Sequence, residues 1–292
     1  MEALLYLGCT VPVRNLNYEL ATRLTAKEFG ISFRLDTGAF GCCGFPMKSV
    51  DSMSALVMAA RNLALAEKEG LEMCALCNSC AAMLRETAHE LDHDPQLKEQ
   101  VNRRLESLGL RYDGPVKVRN YMRLLWEEVG LDAIREAVTK PLTEVILAPH
   151  YGCHYLKPSE LTVGFDSPDD PRTMADLIRA TGAQVVDYPS LKECCGGATL
   201  GFSEEVANTM ARRKLEDVAA TGAHALVLVC PFCNVMYEGQ QKRIAKQAGL
   251  DLKVPVVYYP QILGLAIGLT SKELGFKLNR VKPKELLKLV EE

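Results

Sequence analysis

The hydrophobic and polar positions of this chain follow one pattern twice, once in each half. In the first half, short apolar runs predict strands. Longer stretches with apolar residues every three or four positions predict helices, several of which a glycine ends. The predicted strands span 3–8, 31–35 and 71–76, the predicted helices span 18–29, 51–69 and 79–89, and a turn-rich stretch spans 36–41.

The second half repeats this order of elements. The predicted strands span 145–152, 183–188 and 224–229, and the predicted helices span 172–181, 204–220 and 234–246. Strands that alternate with helices through short connections indicate parallel strands joined by right-handed crossovers. The predicted fold class is therefore α/β. We expect two duplicated domains, each with a small, mostly parallel sheet and flanking helices, related by a pseudo-twofold axis.

We place the first domain at 1–143 and the second at 144–292. The first domain includes a link of about 91–143, which contains two charged stretches with a helical pattern. The second domain ends in a charged stretch after Thr270. This stretch is interpreted either as a contact arm for a partner or as a solvated tail.

Cysteine is the residue whose placement is most informative. Of the eleven cysteines, ten follow a pattern that occurs twice: a single cysteine, an adjacent pair and a C-x-x-C motif. The first set is Cys9, Cys42, Cys43, Cys77 and Cys80, and the second set is Cys153, Cys194, Cys195, Cys230 and Cys233. Each member lies at the end of a predicted strand or in a loop beside it, where ligands of open parallel sheets gather. The pattern predicts two metal sites, one in each half.

Other roles for these cysteines fit the sequence less well. A disulfide framework suits short secreted domains, whereas this chain is long enough to form a core and opens without the features of a signal peptide. Zinc takes four ligands and each half offers five thiols, so iron–sulfur chemistry is favoured, with zinc in one half as the alternative. A thioredoxin-like dithiol mechanism would leave the adjacent pairs unexplained.

Composition narrows the class of protein further. The chain has 34 Lys and Arg against 37 Asp and Glu, so no broad basic surface for nucleic acid is expected. The longest apolar run, 254–269, contains two prolines and two glycines and is too short to span a bilayer. No glycine-rich phosphate loop follows a strand, so a flavin would belong to a partner. We therefore expect a cytoplasmic protein with no nucleic-acid partner and no direct membrane span.

Several segments resemble the cysteine-rich CCG family, and most closely the B subunits of heterodisulfide reductases. The tripeptide Cys-Cys-Gly occurs at 42–44 and again at 194–196. The resemblance covers nearly the whole chain. It is most specific in the second half, at 150–160 (HYGCHYLKPSE), 164–171 (GFDSPDDP), 230–234 (CPFCN) and 259–276 (YPQILGLAIGLTSKELGF).

This resemblance implies two non-cubane iron–sulfur clusters of the [4Fe-4S] type, each held by the five cysteines of one half. It implies a disulfide reductase, in which a disulfide is reduced to two thiols between the clusters. The implied substrate is the coenzyme M–coenzyme B heterodisulfide of methanogenesis or a related disulfide. The implied partners are the small iron–sulfur protein that forms the C subunit of those enzymes and the flavin-containing protein that forms their A subunit. These two partners would supply the electrons.

An alternative function stays open beside this one. Related cysteine-rich domains occur in complexes that oxidise lactate or glycolate, reduce quinones or reduce aromatic thioesters, so the chain could be a non-catalytic electron-relay or metal-binding subunit. The first half departs from the methanogen pattern at 10–15 (TVPVRN) and at the extra thiol Cys74. Because Cys74 lies inside a predicted strand, we expect a core thiol rather than a sixth ligand.

His154, which directly follows Cys153, is the candidate catalytic residue. Histidine titrates in the range needed to deliver a proton to a departing thiolate, whereas the alternative is a side chain held in place by packing. His150 is a weaker candidate for the same role. Three basic residues flank the cysteine loops and would suit an anionic substrate group, although ordinary surface charge is the simpler interpretation: Arg14, Lys157 and Arg172.

Overall fold

A computed structural model describes residues 1–34, 39–162 and 164–291. The first half contains one four-stranded sheet with helices around it. Its elements are β1 (Glu2–Tyr6), α1 (Val11–Arg14), α2 (Leu16–Glu28), β2 (Ser32–Arg34), α3 (Ser52–Glu69), β3 (Met73–Ala75), α4 (Asn78–His93), α5 (Pro95–Leu105), β4 (Val118–Asn120), α6 (Tyr121–Leu124) and α7 (Gly130–Ala137).

The second half is built in the same way. Its elements are β5 (Ile146–Pro149), α8 (Cys153–Leu156), α9 (Thr173–Ala180), β6 (Gln184–Val185), α10 (Glu204–Ala220), β7 (Ala225–Leu228), α11 (Pro231–Asn234), α12 (Gln241–Ala248), β8 (Val256–Tyr258), α13 (Tyr259–Ala266) and α14 (Lys284–Glu291). A π-helical turn follows α6 at Leu125–Val129, and another follows α11 at Val235–Gly239.

The two sheets share one topology. The strand order is β2-β1-β3-β4 in the first and β6-β5-β7-β8 in the second, and every neighbouring pair is parallel. The α/β class and the duplication are therefore confirmed, and the matching order is consistent with pseudo-symmetry. The chain passes from one sheet to the other between β4 and β5, whereas the domain boundary at 143 stays a prediction.

Each sheet has a fourth strand that the sequence analysis did not predict. The strand β4 lies in the link and includes the start of its second charged stretch, which begins at 119. The helical pattern of that stretch is a wrong prediction for residues 119–120. Arg119 is the middle residue of β4, and its charge hides the apolar pattern of a buried strand. The side chain is nevertheless buried, because Glu72, Glu127 and Glu128 all form ion pairs with its guanidinium group.

Some predicted boundaries also change. The strand predicted at 183–188 shortens to β6, which lies at the edge of its sheet and has one partner strand. The helix predicted at 234–246 is interrupted by the π-helical turn before α12. Position 35 of the second predicted strand and positions 36–38 of the predicted turn lie outside the described residues.

The charged stretch after Thr270 is not a solvated tail. Leu274, Phe276 and Leu286 are buried in the core, because the charges lie on the opposite side of the segment from these apolar residues. The Asn279 side chain accepts a hydrogen bond from Asn17 Nδ2 at 3.2 Å, which joins the end of the chain to the first half. The stretch therefore helps to hold the two halves together.

The two halves also meet through helices α2 and α13, which pack against each other. The buried ring of Tyr18 stacks on Tyr258 with 4.0 Å between ring centroids, and its hydroxyl donates to the Val229 carbonyl oxygen at 3.1 Å. Such aromatic pairs contribute about 0.5–1.5 kcal/mol beyond their buried area. The contact lies beside the carboxyl ends of β7 and β8, so it brings those ends close to the first half.

No helix in the described ranges is long and apolar enough to cross a membrane.

Candidate metal centres

The first cysteine set lies along the carboxyl edge of the first sheet. Cys9 follows β1, the Cys42–Cys43 pair lies in the loop before α3, and Cys77 follows β3 as the residue that caps α4. Cys80 lies in the first turn of α4, so its side chain points back toward the same edge as Cys77. Exposure falls along the set, from the exposed Cys9 to the buried Cys43, Cys77 and Cys80.

The second set occupies the matching places in the second sheet. Cys153 begins α8 just beyond β5, and the Cys194–Cys195 pair lies in the loop before α10. Cys230 follows β7 and caps α11, and Cys233 lies in the first turn of that helix. The sequence separations differ between the halves, but the elements that carry the thiols are equivalent. The repeated spacing thus reflects a repeated architecture.

A glycine after each adjacent pair turns the chain back toward the thiols. Gly44 has φ +87° and Gly196 has φ +80°, a region that favours glycine. A Cβ atom at Gly44 would lie 2.5 Å from the Ala55 carbonyl oxygen, and one at Gly196 would lie 2.8 Å from that of Ala207. Both loops therefore rest directly on the helix that follows them.

Contacts between neighbouring side chains connect all ten thiols across both halves. The Sγ atoms of Cys77 and Cys230 are 3.8 Å apart, which joins the two sets. Within each set, contacts link each thiol to the next, such as Cys153 with Cys194 at 3.9 Å between Sγ atoms. The order of contacts is Cys9, Cys42, Cys43, Cys80, Cys77, Cys230, Cys233, Cys195, Cys194 and Cys153.

The thiols therefore form one series of neighbours that crosses from the first half to the second. In the described part of the chain, no three His, Cys, Asp or Glu side chains are grouped so that they could hold a single metal ion. A cluster differs from a single ion, because it distributes its thiolate ligands over several iron atoms. Ten soft thiol donors in two equivalent sets match that requirement.

The environment favours the thiolate form of particular members. Hydrogen bonds from Cys42 and then Cys80 lower the pKa of Cys43, and a hydrogen bond from Cys153 lowers the pKa of Cys194. Backbone amides also donate to the second pair, from Gly196 to Cys194 Sγ at 3.4 Å. Such donors stabilise negative charge on sulfur, which the ligands of an iron–sulfur cluster require.

Two glycines let the backbone pass close to the thiols. Gly8 has φ +62°, and a Cβ atom there would lie 3.0 Å from Cys80 Sγ. In the second half, a Cβ atom at Gly152 would lie 3.6 Å from Cys233 Sγ. A side chain at either position would occupy the edge where the thiols gather. The ten thiol donors, and the absence of a side chain at these two glycines, together fit a cluster in each half.

The candidate catalytic residue His154 lies between the halves. Its Nδ1 atom is 3.3 Å from Cys153 Sγ and 3.2 Å from the Ser79 hydroxyl, and its ring lies edge-on to Phe45. Burial lowers the pKa of His154, which favours the neutral imidazole. It can therefore exchange one proton with a group bound beside Cys153.

His150, the weaker candidate, contacts a cysteine just as closely. Its Nε2 atom is 3.3 Å from Cys233 Sγ, and its ring is fully enclosed, with Tyr237 edge-on to it. Burial holds the pKa of His150 well below its usual range, and the positive charge of Lys214 lowers it further. Its Nδ1 atom has no hydrogen-bond partner among the described residues. Sequence proximity alone did not show that His150 faces Cys233, which is 83 positions away.

The other residues singled out in the sequence are exposed basic side chains and one buried thiol. Arg14 and Lys157 are exposed, and Arg172 is exposed and paired with Asp170. Cys74 is buried in β3, where burial and the neighbouring Glu72 raise its pKa. These positions are those of surface charges and a core thiol, as the simpler interpretations expected.

Two features of the site were missed in the sequence. Tyr6 occupies the place that His150 has in the second half, three residues before the first cysteine of its set. Burial and four thiols raise the pKa of Tyr6.

An apolar groove of about 710 Å³ also opens between the loops that follow the two adjacent pairs. Its walls include Phe45 and Val50 from the first half and Phe202 and Phe232 from the second. Phe232 and Ala198 also line the cavity around the second set, so the groove leads to it.

Comparisons with known proteins agree with this architecture. The model of the family described as "CCG: Cysteine-rich domain" matches residues 3–85 and 147–238, so each match contains one complete cysteine set. A solved structure of a hypothetical protein from Helicobacter pylori has a TM-score of 0.76 at 15% identity. The alignment covers 96% of this chain and 52% of that one, and it shows the shared fold alone.

Several curated relatives span nearly the whole chain. The B subunit of the ferredoxin:CoB-CoM heterodisulfide reductase of Methanosarcina mazei is 34% identical, over 97% of this chain and 95% of that protein. The "8-methylmenaquinol:fumarate reductase membrane anchor subunit" of Wolinella succinogenes is 32% identical, over 96% of each. The chain therefore belongs to the family of cysteine-rich CCG domain proteins that includes the B subunits of heterodisulfide reductases.

Proposed function

We propose that this chain is the iron–sulfur, disulfide-reducing subunit of a heterodisulfide-reductase-like complex. The observation that carries the proposal is the contact between the two cysteine sets, where the Sγ atoms of Cys77 and Cys230 are 3.8 Å apart. Two equivalent metal sites that adjoin in this way can both reach one small substrate. The name of the M. mazei relative supports the same reaction.

In this proposal, each set of five cysteines holds one non-cubane cluster. When bound, the clusters supply the electrons and Lewis-acidic iron atoms that a disulfide needs. The reaction takes up two electrons and two protons, breaks one S–S bond and releases two thiols. His154 would hold a proton beside Cys153, while the half-buried rings of Phe45 and Phe232 keep water from that place.

The electrons would arrive from partner proteins of the same complex. A small iron–sulfur protein and a flavin-containing protein, equivalent to the C and A subunits of heterodisulfide reductases, would fill these roles. The thiolate ligands need a reducing compartment, which suits the cytoplasmic location expected from the sequence.

The function is tested with anaerobically purified complex and a reduced electron carrier. We expect more than about four iron atoms per chain and turnover of the coenzyme M–coenzyme B disulfide or a related disulfide. Cystine and glutathione disulfide serve as simple comparison substrates. Intact, reducible clusters without turnover of any disulfide would favour the electron-relay function. The W. succinogenes relative is named for a menaquinol:fumarate reductase and not for a disulfide reductase. About two zinc atoms and no iron would contradict the assignment of the sites.

The apolar lining of the groove favours a disulfide substrate that carries an apolar substituent. Phe202 is 76% exposed at its edge, and the Phe202→Ser variant removes a large apolar contact without touching a thiol. We expect the KM for an alkyl-bearing disulfide to rise roughly tenfold, the effect of about 1.4 kcal/mol of lost contact, with iron content unchanged. Leu108→Ser, an exposed leucine in the link, is the matched control and should leave the KM unchanged. An equal rise in KM for cystine, which has no alkyl arm, would contradict this role of the groove.

A further inference from the structure

A lysine is buried behind the second cysteine set. Lys214 on α10 has no exposed surface, and its Nζ atom donates to the carbonyl oxygens of Ser190 and, at 2.9 Å, Leu191. The ammonium group also lies 5.3 Å from the centre of the Tyr188 ring. Its hydrogen-bond acceptors are backbone carbonyls rather than carboxylates, so they do not cancel its charge.

The matching place in the first half holds a neutral side chain. Lys214 lies 18 residues after Gly196, and Asn62 lies 18 residues after Gly44, on the equivalent helix α3. Asn62 is equally buried, and it supports its own loop by donating to the Cys42 carbonyl oxygen at 3.1 Å and accepting from the Gly41 amide at 2.9 Å. Both side chains thus support a cysteine loop, but only one of them can carry charge.

The Lys214 charge acts on the second set. Burial lowers the pKa of Lys214 to about 8, while Cys233, Cys195, Glu193 and Cys194 oppose that change, so the amine stays protonated at neutral pH. The three cysteines in this group belong to the second set of five thiols. Because the site is shielded from water, the charge is weakly screened there.

The arginine charges nearby are present in both halves. Arg61 and Arg213 are also equivalent, each 17 residues after its glycine, so both halves carry an arginine at this place. Arg213 is 64% exposed and pairs with Glu193 at 3.3 Å. Solvent screens such charges strongly. The buried pair Lys214 and Asn62 therefore gives the two cysteine loops different charge environments.

We infer that Lys214 makes the two sites unequal, so that a cluster held by the second set is reduced more readily than one held by the first. A reduced cluster carries one more negative charge, which a nearby buried cation stabilises. An electron that leaves the first site oxidises it by one unit and reduces the second by one unit, and no proton moves. This inference rests on the iron–sulfur assignment of the proposed function.

The test is a potentiometric titration of the complete, anaerobically purified chain, followed by electron paramagnetic resonance. Lys214→Met should lower the equilibrium constant for electron transfer from the first site to the second about tenfold, which is ~59 mV for one electron. Lys214→Arg should restore the wild-type potential, because it keeps the charge. Arg213→Met, the exposed control, should leave both potentials unchanged. The variants Cys43→Ala and Cys195→Ala assign each signal to its site.

The reciprocal variant Asn62→Lys places the charge in the first half and should raise the potential of that site. If the Lys214→Met variant loses the second cluster, the potential of the first site in Asn62→Lys tests the inference instead. Equal potentials in the wild type, or unchanged potentials in Lys214→Met with full iron content, would overturn the inference. Absence of iron from the wild-type chain would instead contradict the proposed function, so the two failures are distinguishable.

Discussion

Replacing Cys195 with alanine is expected to remove the cluster of the second half and leave the first in place. The Cys195 thiol is buried and contacts both Cys194 and Cys233, so its loss interrupts the series of thiols inside that set. If each set holds its own cluster, as proposed, iron per chain should then fall by about half. Iron and sulfide analysis with Mössbauer spectroscopy of the anaerobic protein measures this directly.

Cys74→Ala is the matched control for that substitution. Cys74 is also buried, but it lies in β3 and its nearest charged neighbours are Glu72 and Arg119. Its loss should leave the iron content unchanged and reduce stability modestly, through the small cavity it creates. Equal losses of iron from the two variants would show that Cys74 is a ligand.

Replacing Gly44 with alanine is expected to destabilise the chain strongly. The residue has φ +87°, and the new Cβ atom would lie 2.5 Å from the Ala55 carbonyl oxygen, a backbone atom of α3 that cannot rotate away. Backbone strain and overpacking together should lower the free energy of unfolding by roughly 2–5 kcal/mol. Because the loop carries Cys42 and Cys43, the first cluster should be lost as well. Denaturant titration and iron analysis measure the two effects.

Gly70→Ala separates backbone strain from the clash. Gly70 also has a positive φ, of +63°, but a Cβ atom there would meet no other atom within 4 Å. This variant should lower the free energy of unfolding by only about 1 kcal/mol and keep the iron content of the wild type. An equal destabilisation of both variants would show that the contact between the Gly44 loop and α3 is unimportant.

Much of the candidate site could be predicted from sequence, because its elements are local. A strand, the cysteine that ends it and the helix that follows are neighbours in the chain, so periodicity and spacing indicate all three. That is why the two sets could be predicted as equivalent and Cys74 as a core residue. The assignment of the ten cysteines as ligands stays a proposal that the iron measurements test.

The repeated order of strands and helices and the repeated thiols follow from short-range patterns along the chain, so they could be predicted without a structure. The contacts between distant residues depend on the tertiary structure. It placed Cys77 against Cys230, and it turned His150 toward Cys233. It also buried the charged Arg119 in an unpredicted strand and the charged Lys214 behind a cysteine loop. The partners of these buried side chains include Glu72, 47 positions from Arg119, and the Ser190 carbonyl oxygen, 24 positions from Lys214, and no local pattern records them.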